Sequence, residues 1–245
     1  MGKSVAFDRD GFALTRFNTG GDMVAALYEG KELLRQAKRG YCGDVRVEDD
    51  FPHILGGLNV WGIDNPFGHA GSKHLREIIK YGNIGRLLKD FAGWSGAEME
   101  LARLHCGDRF KHQGFWHVDA PQIEYHNSIV AIVYLNGESG FQIVPQCFIP
   151  KEQGGIGKHI SINANAGDVL LMRSCLWHKG FYTKPRMHLH MRFIRNDKLG
   201  FNQEIWSVWQ PRKEVPKYQP QGLTSQIKNF VRYMTPGRAG SNHWQ

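Results

Sequence analysis

The sequence predicts a mainly β protein with flanking helices, a sandwich or barrel of short strands carrying helices on its outside. Two observations predict it. Helical apolar periodicity is confined to two stretches before Gly96, and after Gly96 short strand-like runs alternate with turn signals as far as Trp209. A third sets the scale: 245 residues with 41% hydrophobic content can bury a substantial core, which excludes intrinsic disorder.

The first helix is expected over Asp22–Arg39, where Met23, Ala26, Leu27, Leu33, Leu34 and Ala37 recur near helical period and Gly40 follows as a stop. A second helical stretch runs over Lys73–Phe91 on Leu75, Ile78, Ile79, Leu87 and Leu88, interrupted by Gly82 and Gly85. Between them, Leu58–Pro66 carries Trp61 in a glycine-bearing segment that suits either a lid over a barrel mouth or an ordinary connection. Strands are expected at Glu98–His105, Ser128–Leu135, Phe141–Val144, His159–Asn163, Val169–Arg173, Met187–Ile194 and Ile205–Trp209. Residues 1–210 are read as one domain, helical over 1–95 and β over 96–210. Residues 211–245 are read as a proline-bearing linker and a terminal amphipathic helix, whose apolar positions Leu223, Ile227, Phe230, Val231 and Met234 would dock on the barrel or, alternatively, touch a membrane surface through 223–234.

Charge is unevenly placed. The net charge is +8, yet from His178 onward the chain has six Lys, six Arg and three acids, so the body before it is nearly neutral. That pattern suggests one positive face and disfavours a protein that coats nucleic acid along its whole length. The amino-terminal MGKSVAFDRDGF lacks the apolar region of a signal peptide, no 18-residue apolar run appears, and Ala6 stands where a myristoylation signal wants Ser or Thr. Cys42, Cys106, Cys147 and Cys175 are widely spaced with no CxxC, against a disulfide framework or zinc knuckle, and the expected location is cytoplasmic.

Among the twelve histidines one pairing stands out by position: His117-Val118-Asp119 puts an imidazole and a carboxylate two residues apart. In extended backbone residues i and i+2 share a face, so both can meet one metal ion. The best third ligand is His178, just past the strand Val169–Met172, which would complete a two-histidine, one-carboxylate face with open positions for Fe(II). Eight residues on, Arg186 opens the next strand, where a planar guanidinium can hold a carboxylate through two parallel hydrogen bonds.

The ordered set His117-x-Asp119, His178, Arg186 resembles the Fe(II)/2-oxoglutarate dioxygenases, in particular the phytanoyl-CoA dioxygenase family. Asp10-Gly11-Phe12, Trp116 before the first ligand, Gly140–Pro145 and Gly167-Asp168-Val169 resemble that family's flanking segments, over about residues 7 to 195. The resemblance implies a double-stranded β-helix (a jelly-roll, cupin-like core), Fe(II) on His117, Asp119 and His178, and 2-oxoglutarate and O2 as cosubstrates, with Arg186 on the far carboxylate. Two places depart from the family pattern. Pro145 is followed by Gln146-Cys147-Phe148 rather than Gly-Ser-His, and His188 stands where Ser or Thr commonly shares the carboxylate. Alternation places Arg186, His188, His190 and Arg192 on one face, which should look into the site, and Met187, Leu189, Met191 and Phe193 on the other. His188 could supply the second carboxylate contact or make interior hydrogen bonds, and His190 is read as an interior hydrogen-bonding residue.

The resemblance implies hydroxylation of an unactivated C–H bond in a small, anionic or lipid-linked metabolite, with release of succinate and CO2. An intact Asp119 disfavours the halogenases of the superfamily. Arg186 and Arg192, six apart, allow an AlkB-type nucleic-acid dealkylase as an alternative, but its Asn-x-Tyr element is missing from Arg109–Trp116. A non-catalytic metal- or ligand-binding barrel is the remaining alternative. Phe110, Phe115, Trp116, Tyr125, Phe141 and Trp177 lie near the motif strands and could line an apolar pocket or simply pack in the core.

Overall fold

The computed structural model describes residues 5–16, 22–40, 45–47, 53–54, 57–58, 60–69, 71–82, 84–107, 116–120, 126–146, 158–180 and 185–201. The expected strand Ile205–Trp209, the linker, the terminal helix, and Cys42, Cys147, Phe110, Phe115 and Tyr125 lie outside them. No helix among the described residues is long and apolar enough to cross a membrane.

Four helices precede the long strands: α1 (Val5–Asp10), α2 (Met23–Lys38), α3 (Lys73–Gly82) and α4 (Ile84–Ala92). Asp22 caps α2, its carboxylate accepting from the backbone N–H of Val24 and Ala25, both at 3.0 Å. The helical stretch expected over 73–91 is broken into α3 and α4 near Gly82, so its two halves bury separate faces, Leu75, Ile78 and Ile79 on α3 and Ile84, Leu88 and Ala92 on α4. Glu29 of α2 accepts from the N–H groups of His74 and Leu75, tying α2 to the start of α3.

The strands are β1 (Phe12–Arg16), β2 (Val45–Val47), β3 (His53–Ile54), β4 (Gly57–Leu58), β5 (Val60–Asp64), β6 (Ala97–Gly107), β7 (Ser128–Tyr134), β8 (Glu138–Ile143), β9 (Ile160–Ala164), β10 (Asp168–Arg173), β11 (His178–Lys179) and β12 (Arg186–Arg195). A seven-stranded antiparallel sheet runs β1-β10-β7-β12-β6-β5-β2, a three-stranded sheet β11-β8-β9, and β3 pairs with β4. The amino-terminal part is therefore not purely helical. β1, β2 and β5 extend the large sheet at both edges, and the Trp61 segment is an edge-side strand rather than a free lid. These strands escape sequence reading because they are short and carry little alternation.

Period-2 alternation divides the large sheet into two cores. Ile129, Ala131 and Val133 of β7, Val169 and Leu171 of β10 and Met187, Leu189, Met191 and Phe193 of β12 pack under the helices. Val130, Ile132, Tyr134, Leu170 and Met172 face Phe141, Ile143 and Ile162 of the small sheet. Each fully buried aliphatic of this kind is worth roughly 1.5–3 kcal/mol, so both faces of the large sheet are committed and its register is fixed.

Two glycines set local geometry. Gly11, at φ +79°, turns α1 into β1, and its carbonyl accepts from Arg173 N–H at 2.8 Å. Gly96 precedes β6, where an added Cβ would overlap the Asn196 carbonyl oxygen and lie 2.6 Å from the Gly200 nitrogen. Both neighbours are backbone and cannot rotate away. Gly96→Ala is expected to destabilise the fold by about 1–3 kcal/mol, read as a lowered urea midpoint; an unchanged midpoint would show that the 196–200 turn yields freely.

Candidate metal centre

His117 and His178 form an isolated β-bridge, each backbone N–H donating to the other's carbonyl at 3.0 Å. This pairing sets the two rings 4.3 Å apart between centroids. Asp119, two residues on, is fixed by its own backbone. Its N–H donates to the Ser174 carbonyl at 2.8 Å, and its carbonyl accepts from Arg192 Nη1 at 2.7 Å. The carboxylate then lies 3.7 Å (Oδ1) from His117 Nε2 and 3.6 Å (Oδ2) from His178 Nε2. Metal bonds of about 2.1 Å meeting at right angles place ligand atoms about 3 Å apart. The three ligand atoms, all within 4.8 Å of one another, therefore surround a gap that a small contraction would close around an ion.

The protonation states suit the same use. His178 Nδ1 lies 2.9 Å from the Leu176 carbonyl, which can only accept, so Nδ1 carries the proton and Nε2 turns its lone pair toward Asp119. Burial lowers the His178 pKa, and Asp119 only partly opposes it. Burial pushes the Asp119 carboxyl up, but His178, His190, His117 and Arg192 outweigh this and hold it below the usual carboxylate range. Asp119 Oδ2 is buried and accepts no hydrogen bond. A buried imidazole of lowered pKa, His178, beside an ionised, underused carboxylate suits a divalent ion. His117 has a half-exposed side chain and His178 a buried one, so the centre opens to solvent on one side only.

The inward face of β12 is the one alternation predicts. Arg186 and His188 are buried, and His190 and Arg192 are half-buried, while Met187, Leu189, Met191 and Phe193 lie in the helix-side core. His190 Nε2 is 3.7 Å from Asp119 Oδ2, so this residue, expected to be an interior hydrogen-bonding group, borders the centre directly. Burial lowers its pKa to about 3 despite Asp119. Arg192 pairs with Glu100 at 2.8 Å as well as with the Asp119 carbonyl.

Sequence reading missed His105 and Arg103 on β6. His105 is the register partner of His188, and Arg103 of His190. The His105 ring stacks on those of His188 and His190, with centroids 5.0 and 5.1 Å apart. Its pKa lies well below the ordinary histidine value, chiefly through burial and then through His188, His190, Arg186 and Arg103. The signal was available as alternation of Arg103 and His105 with buried Ala102, Leu104 and Cys106. Which strand faced β12 was not. Of the aromatic candidates, Phe141 packs in the inner core and stacks on His178 at 5.5 Å, and Trp116 carries Lys179 over its ring at 5.0 Å. Trp61 lies edge-on to His105 at 5.6 Å with the Arg103 guanidinium over its face.

No family model matches the chain, and no curated protein matches it in sequence. Among solved structures it is similar to AviO1 from Streptomyces viridochromogenes Tue57, with a TM-score of 0.60 and 17% identity over 77% of this chain and 91% of that one. It is also similar to SnoN, described as a non-heme alpha-ketoglutarate-dependent epimerase from nogalamycin biosynthesis, with a TM-score of 0.57 and 14% identity over 87% and 90% of the two chains. A third is EctD from S. alaskensis with bound Fe, with a TM-score of 0.56 and 16% identity over 87% and 85%. These similarities show the fold: a double-stranded β-helix, its large sheet covered by helices and its small sheet facing the candidate centre.

Proposed function

We propose that this chain is an Fe(II)/2-oxoglutarate-dependent oxygenase of the phytanoyl-CoA dioxygenase-like kind, hydroxylating a C–H bond of a small anionic metabolite. The observation that carries the reading is the convergence of His117, Asp119 and His178 on one gap at the mouth of this fold. The similar structures support it: SnoN is described as alpha-ketoglutarate-dependent, and EctD was solved with bound Fe and with 2-oxoglutarate and 5-hydroxyectoine. When bound, iron, 2-oxoglutarate and O2 would supply oxidative decarboxylation, one oxygen atom of O2 entering succinate beside released CO2 and the other providing the oxidising power for the substrate.

The chain's own residues bind, orient and exclude. His117, Asp119 and His178 would hold the metal on one face, with His190 of β12 bordering it. Arg186 lies four residues before His190 on β12, about 13 Å along the strand. A five-carbon diacid and an arginine side chain together fill that span, with Arg186 on the far carboxylate and His188 beside it. Buried Phe141 and Tyr134 close the interior to water. Lys179, over Trp116, gives the rim positive charge, which favours an anionic substrate, while Arg103 beside Trp61 is paired with Asp64.

The test is anaerobic loading with Fe(II) and 2-oxoglutarate, then exposure to oxygen with a panel of acyl thioesters, amino acids, sugar acids and phosphorylated metabolites. Succinate should appear in step with a product that has gained one oxygen atom; a mass-neutral product would move the assignment toward epimerisation, and absence of succinate with every substrate, including uncoupled turnover, would sink it. Arg186→Ala should raise the KM for 2-oxoglutarate about 10- to 100-fold, as expected for losing a charge-assisted hydrogen-bond pair. An unchanged KM would move the carboxylate site elsewhere.

Arg186 and Arg192 are the pair on which the nucleic-acid alternative was drawn. Arg192, whose spacing from Arg186 suggested it, is taken up by Glu100 and the Asp119 carbonyl rather than presented to a ligand.

A further inference from the structure

The three imidazoles of His105, His188 and His190 form a second convergent group, their ligand nitrogens within 4.8 Å of one another, the same spacing that gathers His117, Asp119 and His178. They come from two neighbouring strands. His105 and His188 are direct register partners across β6 and β12, and His190 follows His188 at i+2, so sheet geometry alone brings all three rings to the barrel interior. The His105 ring lies at 17° to that of His188 and at 25° to that of His190.

His105 Nε2 is buried and makes no hydrogen bond. A buried polar nitrogen in that state costs roughly 1–3 kcal/mol, a cost that a ligand accepting its lone pair removes. No carboxylate belongs to the group. Three imidazole nitrogen donors suit borderline ions such as Zn(II), Co(II) and Ni(II) and are poor for Mg(II) or Ca(II).

We propose that His105, His188 and His190 form a second transition-metal site, beside the His117–Asp119–His178 centre and separate from it. The geometry stands independently of the oxygenase reading. Asp119 Oδ2 lies 3.7 Å from His190 Nε2, so the two centres share a wall. Arg103 and Arg186 act on His105 electrostatically and repel a second dication. The second ion is therefore bound more weakly than the first, and filling is sequential. Occupied, the site places a positive ion beside the position assigned above to the 2-oxoglutarate chain, a route by which Zn(II) would inhibit.

The test is titration of the full-length, untagged chain with Co(II), following ligand-field absorption, with bound metal counted after dialysis. Two equivalents are expected, the second at lower affinity. His105→Gln should bind one, keeping the tighter; Asp119→Ala should bind one, keeping the weaker. Saturation of the wild type at one equivalent, or two equivalents bound by His105→Gln, overturns the proposal. A measurement that needs no variant is anomalous scattering at the zinc edge from zinc-loaded crystals. A peak between the three imidazoles supports the site, and its absence while the other centre is filled refutes it. Failure of the oxygenase reading is a different result, the absence of succinate, and leaves the metal count untouched.

Discussion

Asp119→Ala is expected to abolish succinate formation while leaving the chain folded. Three contacts predict both halves of that result. The side chain faces His117, His178 and His190, so its removal strips the centre of its single negative ligand. Its backbone, in contrast, is held by Ser174 and Arg192 through main-chain atoms that alanine retains. Loss of groups that merely support metal ligands typically costs 10- to 100-fold in affinity or activity, and loss of a ligand should exceed about 100-fold. Turnover within about tenfold of wild type would exclude Asp119 as a ligand and with it the proposed centre.

The second large effect is acid lability. His105, His178 and His190 are all held below the ordinary histidine pKa, chiefly by burial. The sign follows from proton binding. As pH falls below about 6.5 the unfolded chain takes up protons that the folded chain refuses, so stability present above that pH is lost on acidification. Each such histidine contributes a slope of about 1.4 kcal/mol per pH unit until its folded pKa is reached, which for His190 is about 3. His105 and His178 act in the same direction. Urea unfolding of metal-stripped protein between pH 7.5 and 5.5 measures it. His105→Asn should shallow the slope by about one histidine's share, and a flat profile would mean that the imidazoles are not desolvated. Bound metal steepens the dependence, because protons and metal compete for the same nitrogens.

Much of the centre was legible because it is local. His117 and Asp119 meet through a two-residue spacing in extended backbone, and alternation along β12 separates Arg186, His188, His190 and Arg192 from Met187, Leu189, Met191 and Phe193 whatever the sheet order. The helices were legible because their apolar periodicity and the Gly40 stop are written in contiguous residues. What could not be read is pairing. That His105 faces His188, that Arg192 holds the Asp119 carbonyl, and that β1, β2 and β5 join the large sheet all depend on residues far apart in the chain.

The sequence by itself thus determined the β-rich class, the two helical stretches, and a His-x-Asp pair with a later His and Arg. It did so because side-chain direction within one strand or helix is set by backbone period alone. The tertiary structure decided what those residues confront. Antiparallel register laid β6 beside β12 and turned a predicted row of four polar residues into a shared interior with His105 and Arg103. Burial in that interior, which no local pattern encodes, lowers the pKa of His105 and His190, while the charged groups gathered around Asp119 hold its carboxyl low against the same burial.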